Sequence, residues 1–239
     1  PLPLSMLRLD QSYKKIVIKD FMKAKQTYLL RASFALLLFI MLGYLVKFYP
    51  EVLSSFDDTV QTAVRGELPA FWTAFFKAIT KLGDTPIIFA YTIGIAAVFY
   101  FMKNWRAEGL FLLVNLLTLS LLSTGFKYLY NRPRPDLFYL IAKPAGASFP
   151  SWHTASTLLV ALALLIIMQQ RLQPLVVRRL VQGLVLLLAF LVALSRIYLG
   201  VHYPTDILGG WLLALAINQA LFPFYDQIRF QWRFQSKQK

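Results

Sequence analysis

The sequence predicts an all-α, polytopic membrane protein, a single bundle of six transmembrane helices with amphipathic helices at one interface. Three observations carry that prediction. Hydrophobic residues make up 58% of the 239 and charged residues only 15%, with a mean hydropathy of +0.57, more apolar character than a water-soluble domain of this length can bury. The apolar residues gather in long stretches, five able to cross a hydrocarbon core of about 30 Å and a shorter sixth beside them. The basic residues gather in every second segment between those stretches, an order that a membrane imposes.

In chain order, residues 1–31 are a basic segment, with Arg8, Lys14, Lys15, Lys19, Lys23, Lys25 and Arg31 ahead of the first span, Ala32 to Phe48. That run resembles a signal sequence, but it is long and lacks a clear small-residue cleavage site before Tyr49-Pro50, so it reads as a retained anchor. In residues 50–85, Phe56, Val60 and Val64, then Phe71, Phe75 and Ile79, recur at a helical spacing of four, and Gly83 stands where the second helix ends. Two amphipathic helices on the outer membrane surface account for the pattern. Their plainest role is structural cover, and bordering a lipid entrance is the alternative. Five further spans follow at Pro86 to Met102, Gly109 to Phe126, Thr154 to Met168, Leu175 to Leu194 and Asp206 to Phe222. No internal repeat, low-complexity tract or linker divides the chain, so residues 1–239 read as one domain.

Lys103 and Arg106 follow the second span, Arg171, Arg178 and Arg179 the fourth, and Arg229, Arg233, Lys237 and Lys239 the sixth. With six spans these segments share a side with residues 1–31, and the excess of positive charge makes it cytoplasmic, with both termini inside. The formal charge of +14 is then chiefly a topology signal with some attraction to anionic lipid, and it calls for no nucleic acid. The absence of cysteine excludes disulfides and thiolate-bound metals and leaves the redox compartment open.

Two outer segments break the charge rule. They hold Lys127, Arg132, Arg134, Lys143 and Arg196, both histidines of the chain, His153 and His202, and Asp206 at the start of the last span. Cations kept where loops normally lack them call for an anion. Arg134 and Arg196 offer planar forks for bidentate phosphate binding and Lys127 a mobile point charge. Ser151 stands just before an apolar helix whose first-turn N–H groups also favour an anion. His202 lies four residues before Asp206, in the turn ahead of a helix that Pro204 and Thr205 begin, so the carboxylate can reach one ring nitrogen and orient the other. An oriented neutral imidazole can attack phosphorus, and a second one, held protonated, can give a proton to the leaving oxygen. Arg132, Lys143 and Asp136 read as plain interfacial charges.

Lys127-Tyr-Leu-Tyr-Asn-Arg-Pro-Arg134-Pro135 resembles the first motif of the type 2 phosphatidic acid phosphatase (PAP2) family, a lysine followed after six residues by Arg-Pro. Pro150-Ser151-Trp152-His153 resembles the second, ordinarily Pro-Ser-Gly-His, and Ser195-Arg196 through His202 to Asp206 resembles the third. The resemblance implies the helical bundle that this family shares with haloperoxidases, and a metal- and cofactor-independent phosphohydrolase acting on lipid phosphates. By match of position, it implies that His202 is the nucleophile forming a phosphohistidine, Asp206 its orienting partner and His153 the general acid. It assigns the phosphoryl oxygens to Lys127, Arg134, Ser151, Arg196 and the backbone N–H of residue 152. The implied substrates are bacterial ones: undecaprenyl diphosphate, phosphatidylglycerol phosphate or phosphatidic acid, met at the outer face of the cell membrane.

The departure is Trp152 in place of glycine. Tryptophan keeps the N–H but adds a ring with three places to go: into the pocket, onto His153, or into the apolar interface. Two rival readings follow, a lipid-phosphate-binding relative impaired by Trp152, and a lipid transporter or flippase. A transporter would carry polar residues near mid-bilayer, whereas here the charges cluster at one face. The sequence is silent on oligomeric state.

Overall fold

The structure, a computed structural model, describes residues 11–237, with side chains from residue 24 to residue 233. Arg8 and Lys239 of the basic segments lie outside the described residues, as do the side chains of Lys14, Lys15, Lys19, Lys23 and Lys237. Among the described residues all regular structure is helical. The order is α1 (Gln11–Phe48), α2 (Pro50–Arg65), α3 (Ala70–Ile79), a 3-10 turn (Thr80–Gly83), α4 (Thr85–Phe101), α5 (Arg106–Tyr130), α6 (Trp152–Arg171), α7 (Leu175–Tyr198) and α8 (Pro204–Lys237).

Five helices are long and apolar enough to cross a membrane: Ala24–Phe48 of α1, then α5, α6, α7 and Pro204–Arg233 of α8. The 17 residues of α4 rise only about 26 Å. They reach spanning length only together with Ala70–Gly83, from which α4 bends by 55°. The structure thus has five helices of spanning length, and the predicted six where this bent pair is one span. The first helix also begins earlier than the predicted span, because no glycine or proline interrupts the chain between residue 11 and Gly43.

α6 is the axis of the bundle, packed against α5, α7 and α8. α1 lies along α8 and α4 along α5. Phe39, Leu119, Phe149, Leu159 and Leu213 form one core cluster, and Ile88, Phe111, Leu112, Val160 and Ile167 belong to a second. The α6–α8 seam is tight. A Cβ at Gly209 would meet the Phe149 ring at 2.3 Å, and one at Gly210 the Ser151 carbonyl oxygen at 2.9 Å, so only glycine lets the loop before α6 rest on α8.

The helices of residues 50–85 form as predicted, and the second one runs into the turn that ends at Gly83. Val60, Val64 and Phe75 of the predicted apolar spacing pack against core clusters, but the most deeply buried positions fall elsewhere. In α2 the buried residues are Asp57 and Gln61 while Phe56 stays exposed, and in α3 Phe76 is buried while Phe71 is exposed. The polar side chains turn inward because α8, the turn before it and the loop after α5 offer them buried partners.

Candidate active site

At the start of α8, Pro204 occupies the first helical position, where a missing N–H removes no helix bond, and His202 lies in the preceding turn. His202 Nδ1 is 3.2 Å from Asp206 Oδ2, and that oxygen also accepts the Tyr203 N–H at 2.9 Å. With Nδ1–H donating to the carboxylate, Nε2 carries the lone pair, and an Arg134 Nη1–H meets it at 3.3 Å. His202 is buried. Burial first, and then the fields of Arg196, Arg134, Lys127 and His153, hold its pKa well below the ordinary 6.5, so the ring is neutral near pH 7.

The cations predicted to face an anion converge here without carboxylate partners. Lys127 Nζ donates to the Ala147 carbonyl at 2.7 Å. Arg134 donates to the carbonyls of Gly146 at 3.1 Å, Val201 at 2.9 Å and Ala145 at 3.3 Å. Arg196, fully buried, donates to Thr80 Oγ1 at 2.8 Å, and its Nε–H has no partner among the described residues. None of the three forms an ion pair among the described residues. Ser151 is buried at the N-cap of α6, where its hydroxyl donates to Thr154 Oγ1 at 3.1 Å and caps no backbone N–H. The first-turn N–H groups of α6 therefore keep their partial positive charge for an incoming anion. The Ser151 N–H itself donates to the Asp206 carbonyl at 3.1 Å, which ties this helix start to the turn that holds His202.

His153 sits one residue into α6, with Nε2 2.9 Å from Asp84 Oδ1. The indole of Trp152 goes to apolar packing: it lies parallel to the Phe89 ring of α4, centroids 6.3 Å apart and planes at 12°, and packs against both core clusters. Its Nε1–H is buried with no partner among the described residues.

A profile of the PAP2 superfamily matches residues 108–230. The chain belongs to the PAP2 superfamily. The relatives agree: phosphatidylglycerophosphatase B of Bacillus subtilis is 29% identical over 191 residues, covering 79% of this chain and 91% of its own. An undecaprenyl-diphosphatase of the same organism is 36% identical over 104 residues, 42% of this chain and 49% of its own. The crystal structure of a transmembrane PAP2 type phosphatidylglycerolphosphate phosphatase from Bacillus subtilis superposes with a TM-score of 0.74 at 27% identity, covering 83% of this chain and 97% of that one. The family resemblance and the helical membrane fold read from the sequence are borne out.

In this PAP2 chain the structure adds residues that the sequence reading left aside. Arg132, read as a plain interfacial charge, is buried and donates to Asp206 Oδ1 at 2.7 Å, Thr205 Oγ1 at 2.7 Å and Asp57 Oδ2 at 2.8 Å. Burial opposes its charge, but Asp206 and Asp57 outweigh that and raise its pKa above the ordinary guanidinium value. Asp57 also accepts the Thr205 N–H at 2.9 Å, and Gln61 donates to the His202 carbonyl at 3.3 Å. The signal that could have revealed this face was the pair Asp57 and Gln61, polar residues one helical turn apart. Among the described residues no three His, Asp or Glu side chains gather as a metal-binding set.

Proposed function

We propose that this protein is a lipid phosphatase that hydrolyses a lipid phosphate or diphosphate through a phosphohistidine on His202, with no metal ion, at the outer face of the cell membrane. The observation that carries the reading is the charge pattern: Lys127, Arg134 and Arg196 lack carboxylate partners and surround a neutral imidazole held by Asp206. Three unneutralised cations and a helix start fit a phosphoryl group, whose developing charge they stabilise where it forms.

In the first step the His202 Nε2 lone pair attacks phosphorus, and the bond to the lipid oxygen breaks. That oxygen takes the electron pair and a proton from the His153 imidazolium, and the dephosphorylated lipid leaves. In the second step neutral His153 takes a proton from water as the water oxygen attacks the phosphohistidine. The N–P bond then breaks, its electron pair returns to Nε2, and inorganic phosphate departs. Arg134 exchanges its contact with Nε2 for the phosphoryl oxygens when substrate enters. Ser151 and the Trp152 N–H complete the cradle, and residues 1–239 act as one domain.

The substrate range follows the relatives, phosphatidylglycerol phosphate and undecaprenyl diphosphate, with phosphatidic acid as the simplest member. The basic segments, opposite the site in the bundle, support a cytoplasmic location for both termini. The test is phosphate release in detergent from these three lipids with and without a chelator, together with quenching in alkaline dodecyl sulfate to trap phosphoprotein. The expected result is chelator-resistant turnover and an acid-labile, base-stable phosphoprotein absent from His202→Ala. Loss of turnover with chelator sinks the metal-free mechanism, and a phosphoprotein that persists in His202→Ala sinks the nucleophile.

A further inference from the structure

The segment read as structural cover supplies a carboxylate to the second histidine. Asp84 stands at the N-cap of α4, where an aspartate ordinarily accepts an N–H from its own helix's first turn. It makes no such bond. Its Oδ1 lies instead 2.9 Å from His153 Nε2, 69 residues away along the chain. The preceding residue is built for the same approach: a Cβ at Gly83 would fall 2.9 Å from both Cβ and Cδ2 of His153, so any larger residue would push the ring off its seat. The 3-10 turn that carries this pair is held from its other end, where Thr80 Oγ1 accepts the Arg196 guanidinium at 2.8 Å.

We infer that Asp84, with Gly83 beneath the ring, is the positioning carboxylate of His153, fixing the imidazole and supporting its charged form as proton donor to the leaving group. The inference rests on the proposed phosphatase reading. The charged groups that act on His153 are Arg196 of α7, Arg134 of the loop after α5, and Asp84. Burial and both arginines disfavour an imidazolium, and Asp84 is the one anion that opposes them. Bonding of Nε2–H to the carboxylate leaves Nδ1 for the departing oxygen. The molecule then contains two His–Asp pairs of different use. Asp206, neutralised by Arg132, orients a neutral nucleophile, while Asp84, 43% exposed and bonded to His153, holds the ring in place and favours its cation against the surrounding arginines.

The experiment compares two classes of phosphate ester with wild type, Asp84→Asn, Asp84→Ala, Gly83→Ala and His202→Ala. Phosphatidic acid releases diacylglycerol, whose departing alkoxide oxygen needs a proton. Para-nitrophenyl phosphate leaves as a stable phenolate and needs none. Because a positioned acid contributes about 10²–10⁴-fold, weakening its support in Asp84→Ala should lower the ratio of lipid to aryl turnover roughly 10- to 100-fold. Asp84→Asn and Gly83→Ala should follow in the same direction, with thermal midpoints in detergent close to wild type. Equal loss on both esters, no loss, or a gain in Asp84→Ala overturns the inference while leaving the phosphatase reading in place. Full turnover in His202→Ala overturns that reading, and the inference with it.

Discussion

The two ends of the helical bundle treat their inward-turned arginines in opposite ways. At the end that carries the basic segments, Arg171 Nε bonds the fully buried Glu108 at 2.7 Å and its guanidinium lies over the Trp105 ring at 4.5 Å, while Arg229 pairs with Asp226 at 2.7 Å. At the other end Arg196 is more deeply buried than either and, among the described residues, has only a threonine hydroxyl. A matched buried pair locks helices together, and removing one partner strands the other charge. A buried cation without a counterion costs the fold stability, and in the proposed site it is kept for what it attracts. Arg132 stands between the two cases, at the site's end of the bundle yet saturated by Asp57 and Asp206.

The comparison can be broken most decisively by exchanging effects between the ends. Arg196→Ala should reduce lipid phosphate turnover by about 10²–10³-fold, the loss expected for removing one donor to a developing oxyanion, with an unchanged or raised thermal midpoint. At the other end Glu108→Ala should cost about 3–5 kcal/mol of stability, seen in detergent denaturation, with residual turnover per folded molecule near wild type. If Arg196→Ala unfolds the protein and Glu108→Ala abolishes turnover in folded material, the distinction between the ends is wrong. Arg132→Leu should show both effects at reduced size, roughly tenfold in kcat and about 2 kcal/mol, because it frees Asp206 to turn and strands Asp57.

A smaller effect separates the ends through pH. His202 keeps a depressed pKa in the folded protein, whereas the unfolded chain takes up its proton near 6.5. Its contribution to stability is therefore complete above pH 6.5 and is lost as pH falls toward the folded value. Thermal midpoints measured from pH 7.5 down to 5 should decline less steeply in His202→Ala than in wild type. The smallest effect is expected at Trp152. Its ring packs on Phe89, so Trp152→Gly should change kcat by about threefold or less and lower stability through the lost burial. A large gain in kcat would show that the indole obstructs the cradle.

The sequence disclosed the span pattern because hydropathy and helix breakers are local properties, and Gly83 and Pro204 mark ends that the structure keeps. It brought Lys127, Arg134, Ser151, His153, Arg196, His202 and Asp206 into view because they stand at helix ends within three short motifs. Asp57 and Asp84 stayed hidden for a shared reason: each partners a residue far along the chain, and local pattern gave each a duller role. Asp84 before Thr85-Pro86 has the form of an ordinary helix cap, and the apolar spacing of Phe56, Val60 and Val64 marks a stripe one residue round from the buried Asp57 and Gln61 of α2. The bend between α3 and α4 was invisible because α4 is apolar enough to pass for a straight span.

The hydrogen bond from the Ser151 N–H to the Asp206 carbonyl, backed by the contact of Gly210 with Ser151, makes the start of α6 and the start of α8 a single jig. The nitrogen proposed to attack and the helix end proposed to face the anion are machined against one another, away from the outward surfaces of α1, α4 and α7. Tail preference can drift on those surfaces without resetting the reach from nitrogen to phosphorus. One chemistry can in this way be refitted to headgroups carried on chains of quite different shape.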